Sequence, residues 1–244
     1  MRIIERDKEK IAHCERLMAE ARDLHLGPSV LATYGIDIFD KNGKQVLKET
    51  GKSNSFVRNY YNFLTIHALF LKSSNAAENN AGTFGAGVDT PVKDSAGTNR
   101  GGSSSLYLTS NSIDSAVRAG AGVNTHNVQV GSSDTAESFE DFKLAALIPN
   151  GTGAGALNYG AAAIASRAFE ASTNKLTATH ARTFANGSSG NVTIKEIGFG
   201  IWTQYGTSVY PYVLVIRDIL ASPITLTPGQ SATISYNLSY IMSN

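Results

Sequence analysis

The sequence predicts a mainly β protein, built as an antiparallel β-sandwich or jelly-roll-like domain with an N-terminal amphipathic helix and one additional helix. Many short segments alternate apolar and polar residues, and clusters of Asn, Gly, Ser and Pro separate them. No sequence repeat of fixed period occurs, which disfavours a solenoid or a propeller. We expect a helical arm at residues 1–28 and a sandwich domain at residues 29–244, with a long polar loop over residues 73–105.

The charged N-terminal segment has the periodicity of an amphipathic helix that ends at Gly27 and Pro28. Its apolar stripe comprises Ile4, Ile11, Cys14, Leu17, Met18 and Ala21. A free helix of this length is marginal in water, so the stripe must pack on its own domain or on another subunit. Our hypothesis is the second alternative, an assembly interface in which Cys14 is either an inert apolar residue or a contact with a symmetry mate.

The segments that follow predict a hairpin and a second helix. Residues 34–38 alternate apolar and polar side chains before Asn42 and Gly43, a pair that suits a tight turn. Ser53 or Ser55 could then cap the N-terminus of a helix. The apolar face of that helix comprises Phe56, Tyr60, Phe63, Leu64, His67 and Leu71. A further short hairpin is expected at residues 94–97.

The second half of the chain predicts an all-β region, because short strands alternate with turn signals. The predicted strands are residues 127–130, 144–148, 175–184, 192–202, 209–218 and 232–240. Arg217 and Asp218 are adjacent in one of these strands and should face opposite sides of its sheet, where they would hold different neighbours.

Composition excludes several classes of protein. The formal net charge of +1 gives no field to attract nucleic acid or an anionic membrane, and one cysteine cannot form an internal disulfide. The N-terminus is too charged for a signal peptide, and the longest apolar runs are far too short to cross a membrane. We therefore expect no nucleic-acid partner, no membrane partner and a protein that is not secreted.

The candidate chemical motifs are weak, so we expect no enzyme, no cofactor and no metal. The glycine-rich residues 151–156 lack the Lys-Ser/Thr pair of a phosphate-binding loop, and no serine lies in a GxSxG turn. The histidines are scattered, without metal-ligand spacing. An acidic group could supply paired carboxylates for glycoside cleavage, although a solvated turn before residue 144 is the favoured interpretation. Its members are Asp134, Glu137, Glu140 and Asp141.

One aromatic cluster could hold a ligand. Trp202, Tyr205, Tyr210 and Tyr212 lie around a single predicted loop, and aromatic rings of this kind can form a platform for a glycan. A host-glycan-binding module is therefore one alternative function.

Several segments of the C-terminal half resemble a family of tailed-bacteriophage virion proteins. Residues 130–136 and 142–148 are similar to the family's "VGTG-x-TA…D-x-x-L-x-x-x-I" segment, and residues 182–188 to its "R-T-F-T-N-x-S" strand and turn. Residues 192–198 follow, with the Glu-Ile-Gly element of the pattern. Residues 215–226 and 229–236 resemble "I-x-R-D-V-L-x-S-P-V-x-V…G-Q-x-L-x-V-x-Y".

This resemblance implies a non-enzymatic structural protein of the virion, assembled in the host cytoplasm. We expect a capsid decoration or auxiliary subunit that self-associates, as a homotrimer by analogy with other capsid-surface proteins, and that docks on the major capsid protein. A tail tube, tail-tip or fibre subunit is the alternative within the same class. The resemblance implies no catalytic residues.

Overall fold

A computed structural model describes residues 1–23, 29–53, 55–62, 92–100, 106–107, 117–163, 166–205 and 211–241. The predicted mainly β class is confirmed. The described part contains one long helix, α1 (Lys8–Asp23), a helical turn at residues 58–62, and fourteen strands. The strands are β1 (Arg2–Glu5), β2 (Ser29–Phe39), β3 (Gln45–Lys52), β4 (Val92–Lys93), β5 (Asn99–Arg100), β6 (Leu106–Tyr107), β7 (Asn127–Gly131), β8 (Asn158–Tyr159), β9 (Ser166–Glu170), β10 (Lys175–Ala185), β11 (Val192–Trp202), β12 (Gln204–Tyr205), β13 (Tyr212–Leu226) and β14 (Ser231–Ile241).

Two sheets form the sandwich. The larger has seven strands in the order β1-β3-β2-β14-β10-β8, and β9 pairs with the same edge of β10 as β8 does. All its pairings are antiparallel except that of β1 with β3. The smaller sheet has the order β13-β11-β7 and is antiparallel throughout.

The hydrophobic core lies between the two sheets. Ile36 and Ile234 of the larger sheet and Ile197 and Phe199 of the smaller belong to one buried cluster. The ring of Phe199 lies 6.1 Å from that of Tyr236, which joins the sheets across the core. Alternate residues along β2, β11 and β14 supply the apolar side chains, as a strand period of two requires.

The N-terminal prediction is wrong for residues 2–5, which form strand β1 rather than the first turn of the helix. Ile4 pairs with Glu49 of β3 and therefore lies off the helix. Asp7 follows with a φ of 57°, a conformation that Asp tolerates, and it redirects the chain into α1. The sequence period alone could not reveal this, because a parallel edge pairing depends on residues more than forty positions away.

Helix α1 packs on the outer face of the larger sheet. Met18 is 6% exposed and lies with Leu31 and Ile241 in a small buried cluster, against which Ile11 and Cys14 also pack. The stripe thus rests largely on its own domain, which corrects the hypothesis that Ile11 and Met18 serve contacts outside it. Leu17 stays 49% exposed, and the side chain of Ala21 lies outside the described residues.

The second helix begins at Arg58, so neither Ser53 nor Ser55 caps it. The carbonyl of Ser55 instead accepts a hydrogen bond from the Arg217 amide, because residues 55–57 run along β13. Phe56 and Tyr60 do stack, with 4.0 Å between their ring centroids. Of the predicted apolar face, Phe63, Leu64, His67 and Leu71 lie outside the described residues, as does most of the predicted loop over residues 73–105.

Most predicted strands are confirmed, including the β2–β3 hairpin and the small β4–β5 hairpin. Strand β13 is longer than predicted: it continues through Ser222 and Pro223, where its register with β11 shifts. A proline can lie within such an irregularity because it lacks the N–H that a regular ladder needs. The predicted strand at residues 144–148 is reduced to a single antiparallel bridge between Leu147 and Gly131 of β7. The residues before it end a segment that crosses the outer face of the smaller sheet, where Glu196 accepts hydrogen bonds from the amides of Ala145 and Ala146.

Candidate functional site

A buried ion pair lies on the outer face of the smaller sheet. Glu196 of β11 is 0% exposed and Arg217 of β13 is 1% exposed, and Arg217 Nε donates to Glu196 Oε2 at 2.8 Å. Arg217 Nη1 also donates to Asp141 Oδ2 at 2.7 Å. Burial opposes the charge on Arg217, but the two carboxylates outweigh it and raise the pKa of the guanidinium.

This pair fastens residues 132–147 to the sheet. Glu196 accepts hydrogen bonds from the backbone amides of Ala145 and Ala146, and Arg217 donates to the carbonyls of Thr135 and Ala136. Gly131 makes this approach possible, because a Cβ there would lie 2.4 Å from Glu196 Oε1. The cluster satisfies backbone groups of the crossing segment and leaves little of its own polar capacity free.

Asp218 faces the opposite side of β13, as predicted. Its Oδ2 accepts a hydrogen bond of 2.8 Å from the hydroxyl of Tyr236, which belongs to the larger sheet. Burial and the neighbouring Asp218 carboxylate raise the pKa of Tyr236 well above its usual value. Arg217 and Asp218 therefore hold different neighbours, one a surface segment and the other the facing sheet.

Arg182 of β10 is a buried cation held chiefly by backbone oxygens. Its Nε donates to the Gly160 carbonyl at 2.8 Å, its Nη2 to the Gly120 carbonyl at 2.9 Å and its Nη1 to the His126 carbonyl at 3.4 Å. The guanidinium also lies over the Tyr159 ring at 4.9 Å. Burial lowers the pKa of Arg182 to about 10. Two segments of the chain, the loop at residues 120–126 and the end of β8, thus meet at this one side chain.

The predicted aromatic platform forms only in part. Tyr212 stacks on the ring of His126, with 5.4 Å between centroids and 15° between planes, and Trp202 lies 6.4 Å from the same ring. Tyr212 also lines a cavity of about 220 Å³ with Phe142 and Gln129. Tyr210 and the side chain of Tyr205 lie outside the described residues. One face of Tyr212 is thus already covered by the protein's own histidine.

The acidic group does not form a carboxylate pair. Asp134 bonds to Lys195, Glu137 accepts from the Ile219 amide, Glu140 pairs with Arg58 and Asp141 pairs with Arg217. Each carboxylate therefore anchors a different part of residues 132–147, which is not the arrangement for glycoside cleavage. Asp134, Glu137 and Glu140 are exposed, as the favoured interpretation of a solvated segment expects.

A shallow groove remains beside α1. It has a volume of about 300 Å³ and is lined by apolar side chains that include Leu17, Val30 and Phe56. Cys14 lies at this groove and is partly buried. This is the part of the predicted assembly interface that the fold leaves open.

His180 is a buried histidine from which we expect sensitivity to acid. Its ring is buried beside Phe199, its Nδ1 has no hydrogen-bond partner among the described residues, and burial lowers the pKa of His180 to about 4. An unfolded histidine has a pKa of about 6.5. Between the two pKa values the unfolded state binds more protons than the folded state, so the free energy of unfolding decreases as the pH is lowered. We expect a loss of about 2 kcal/mol from pH 7 to pH 5 from this residue alone.

Urea denaturation at both pH values measures this effect. The variant His180→Leu should lose much of the acid sensitivity, and what remains should include the effect of buried His126, whose pKa is also lowered by burial. The exposed residue His13 offers a matched control, since His13→Leu should leave the pH dependence as it is. An unchanged pH dependence in His180→Leu would contradict the assignment.

Comparison with protein-family models, with curated proteins and with solved structures finds no match for this chain. Within the part of the chain that the structure describes, no three His, Cys, Asp or Glu side chains converge in a metal-binding arrangement. Among the same residues, no helix combines the length and the apolar character needed to cross a membrane.

Sequence reasoning missed the roles of two buried charged residues, Glu196 and Arg182. The alternation of side chains along a strand assigns each of these residues to one face of its sheet. It does not reveal that other segments of the chain bury that side chain. Their one available signal was their position within the segments that resemble the phage family.

Proposed function

We propose that this chain is a non-enzymatic structural protein of a tailed-phage virion, serving as a capsid decoration or auxiliary subunit. The proposal rests on what the polar residues do in the segments that resemble the phage family: they make structural contacts within the fold. Arg182, Arg217 and Asp218 each fasten one part of the fold to another, as described above. A pattern made of such residues encodes an architecture rather than a reaction centre.

Asn186, in the "R-T-F-T-N-x-S" segment, has the same kind of role. Its Nδ2 donates to the carbonyls of Gly190 and Leu226, both at 2.8 Å, and its Oδ1 accepts from the Ser188 amide at 2.9 Å. One buried side chain thus closes the turn between β10 and β11 and ties it to the end of β13. This contact supports the proposal for the same reason.

The outer face of the larger sheet suits contact with other subunits. Its central strands carry hydroxyl and amide side chains that bond to one another, as in Thr177 with Ser239 and Thr179 with Asn237. These side chains are largely half-buried and uncharged, so covering this part of the face would remove little charge from water. We propose that further copies and the major capsid protein are the partners.

Quantitative mass spectrometry of purified particles tests the proposal. Intact particles and detached tails of the phage that encodes the chain would be separated on a density gradient. We expect the chain in capsid-containing fractions at a fixed ratio to the major capsid protein, and absent from detached tails. Co-purification with detached tails would replace the decoration role by the tail alternative, and absence from all particles would overturn the virion role itself. The host-glycan alternative stays a prediction.

A further inference from the structure

The cavity beside Tyr212 lies on the outer face of the smaller sheet, where β11 contributes no side chain to its lining. The residues of β11 next to it are Gly198 and Gly200. A Cβ at Gly198 would lie 2.8 Å from the Leu144 side chain, and one at Gly200 would lie 3.4 Å from Gln129 Oε1. The volume of about 220 Å³ is below the range of about 300–1,000 Å³ for drug-sized ligands, so the cavity suits one small ring.

Gln129 supplies a hydrogen-bond acceptor that the fold leaves open. The residue lines the cavity and is only 8% exposed. Its Nε2 donates to the Asn124 carbonyl at 2.7 Å, and this contact fixes the amide because a carbonyl can only accept. Its Oε1 receives no hydrogen bond from any residue that the structure describes. A ligand that donates a hydrogen bond would therefore satisfy a largely buried polar atom.

Lys143 carries the only formal charge among the described residues that line the cavity. Its side chain is exposed, and its Nζ lies 5.7 Å from the centroid of the Phe142 ring. Lys93 Nζ lies 5.1 Å from the same ring, so two ammonium groups flank it. The carboxylates beside these residues in sequence are each bound to an arginine, Asp94 to Arg100 and Asp141 to Arg217. The charge at the cavity is therefore positive and suits an anionic ligand.

Two aromatic rings provide apolar surface for the same ligand. Tyr212 and Phe142 both line the cavity. Tyr212 is held by its stacking on His126, and a ring held in this way offers contact area at a low cost in conformational entropy. The cavity thus combines one open acceptor, one cation and an apolar wall.

We infer that this cavity binds one acidic sugar ring, a hexose that carries a carboxylate or a phosphate. A ring hydroxyl donates to Gln129 Oε1, the anionic group pairs with Lys143, and the C–H face of the ring lies against Tyr212. A neutral sugar makes no use of the Lys143 charge. An aromatic acid without hydroxyl groups has no donor for Gln129.

This inference goes beyond the proposed function, since a structural subunit of a virion does not need to bind a sugar. Sugar binding by the purified chain and presence of the chain in the particle are separate measurements. Either can therefore fail without the other.

Titration of the purified full chain with D-glucuronate, followed by NMR of its backbone amides, tests the site. We expect saturable shifts at residues 124, 129, 143 and 144, with a dissociation constant on the order of 1 mM because one ring offers few atoms. D-Glucose is the uncharged match and should bind about fivefold more weakly. D-Glucose 6-phosphate in place of D-glucuronate shows which anionic group is preferred. Benzoate, which has no hydroxyl group, should bind more weakly than D-glucuronate.

Three variants test the assigned contacts. Lys143→Gln should weaken D-glucuronate about fivefold and leave the affinity for D-glucose unchanged. Ser95→Trp puts a bulky ring at an exposed turn position that lines the cavity, and it should abolish the shifts with every sugar. Lys44→Gln is the matched control, because Lys44 is an exposed lysine in the turn between β2 and β3 and does not line the cavity. Circular dichroism checks that each variant keeps its fold.

Several results would overturn the inference. One is the absence of saturable shifts with both acidic sugars, and another is shifts that lie away from the cavity. D-Glucose or benzoate binding the wild type as tightly as D-glucuronate would also overturn it. So would a Lys143→Gln variant with the wild-type affinity for D-glucuronate, or a loss of that affinity in Lys44→Gln.

Discussion

Replacing Arg217 with methionine is expected to lower the free energy of unfolding by about 3–5 kcal/mol. Methionine has a similar length, so the change removes the charge and the donors more than the volume. It leaves the Glu196 carboxyl group at 0% exposure without its cationic partner, and it leaves the carbonyls of Thr135 and Ala136 without this donor. Urea denaturation followed by the fluorescence of Trp202, the single tryptophan, measures the loss.

Two further variants show whether the loss of stability comes from the charge and donors of Arg217. Arg217→Lys keeps a cation but not the forked donor set, so its loss should be intermediate and it should fold even where Arg217→Met does not. Arg118→Met is the control, because the Arg118 side chain is exposed, and its effect should stay within about 0.5 kcal/mol. A stability of Arg217→Met equal to that of the control would contradict the fastening role.

Arg182→Met is expected to lower the free energy of unfolding by about 2–4 kcal/mol, for a different physical reason from Arg217→Met. Arg182 donates to three backbone carbonyls, of which that of Gly120 also accepts from the Val123 amide. Each buried group left without a partner costs about 1–3 kcal/mol. Relief of the desolvation of the guanidinium offsets part of this loss, because the variant no longer has a charge in a buried site that disfavours it. The same denaturation experiment measures the loss, again against Arg118→Met.

Protection of backbone amides against hydrogen exchange distinguishes the two sites. Arg182→Met should raise exchange near residues 120, 126 and 160, whose carbonyls it holds, while Arg217→Met should raise exchange at Ala145 and Ala146. Uniform loss of protection over the whole sandwich in both variants would contradict a local fastening role for either residue.

Local signals predicted much of the fold. The β2–β3 hairpin follows from alternation on either side of Asn42 and Gly43, and β10, β11 and β14 follow from long alternating segments. Elements that depend on distant partners were missed. β1 exists because β3 offers it an edge, and β9 has five exposed residues, so burial gives it no alternation to recognise.

The candidate site was harder to predict for the same reason. Arg217 meets Asp141 across 76 positions of sequence and Glu196 across 21, and no spacing rule connects them. The segment at residues 144–148 has the composition of a strand, but Glu196 binds the amides of Ala145 and Ala146. Glu196 thus takes two amides of this segment, and the pairing of the segment with β7 is confined to the bridge between Leu147 and Gly131.

If the buried charges fasten the fold, the effects of replacing Glu196 and Arg217 must be coupled, and a double-mutant cycle measures that coupling. Arg217→Met, Glu196→Gln and the double variant would be compared with the wild type by urea denaturation. Because the charges compensate each other, the double variant should be less destabilised than the sum of the single variants, with a coupling free energy of about 2 kcal/mol or more. Single-variant effects that add to within about 0.5 kcal/mol would contradict a fastening role for this pair.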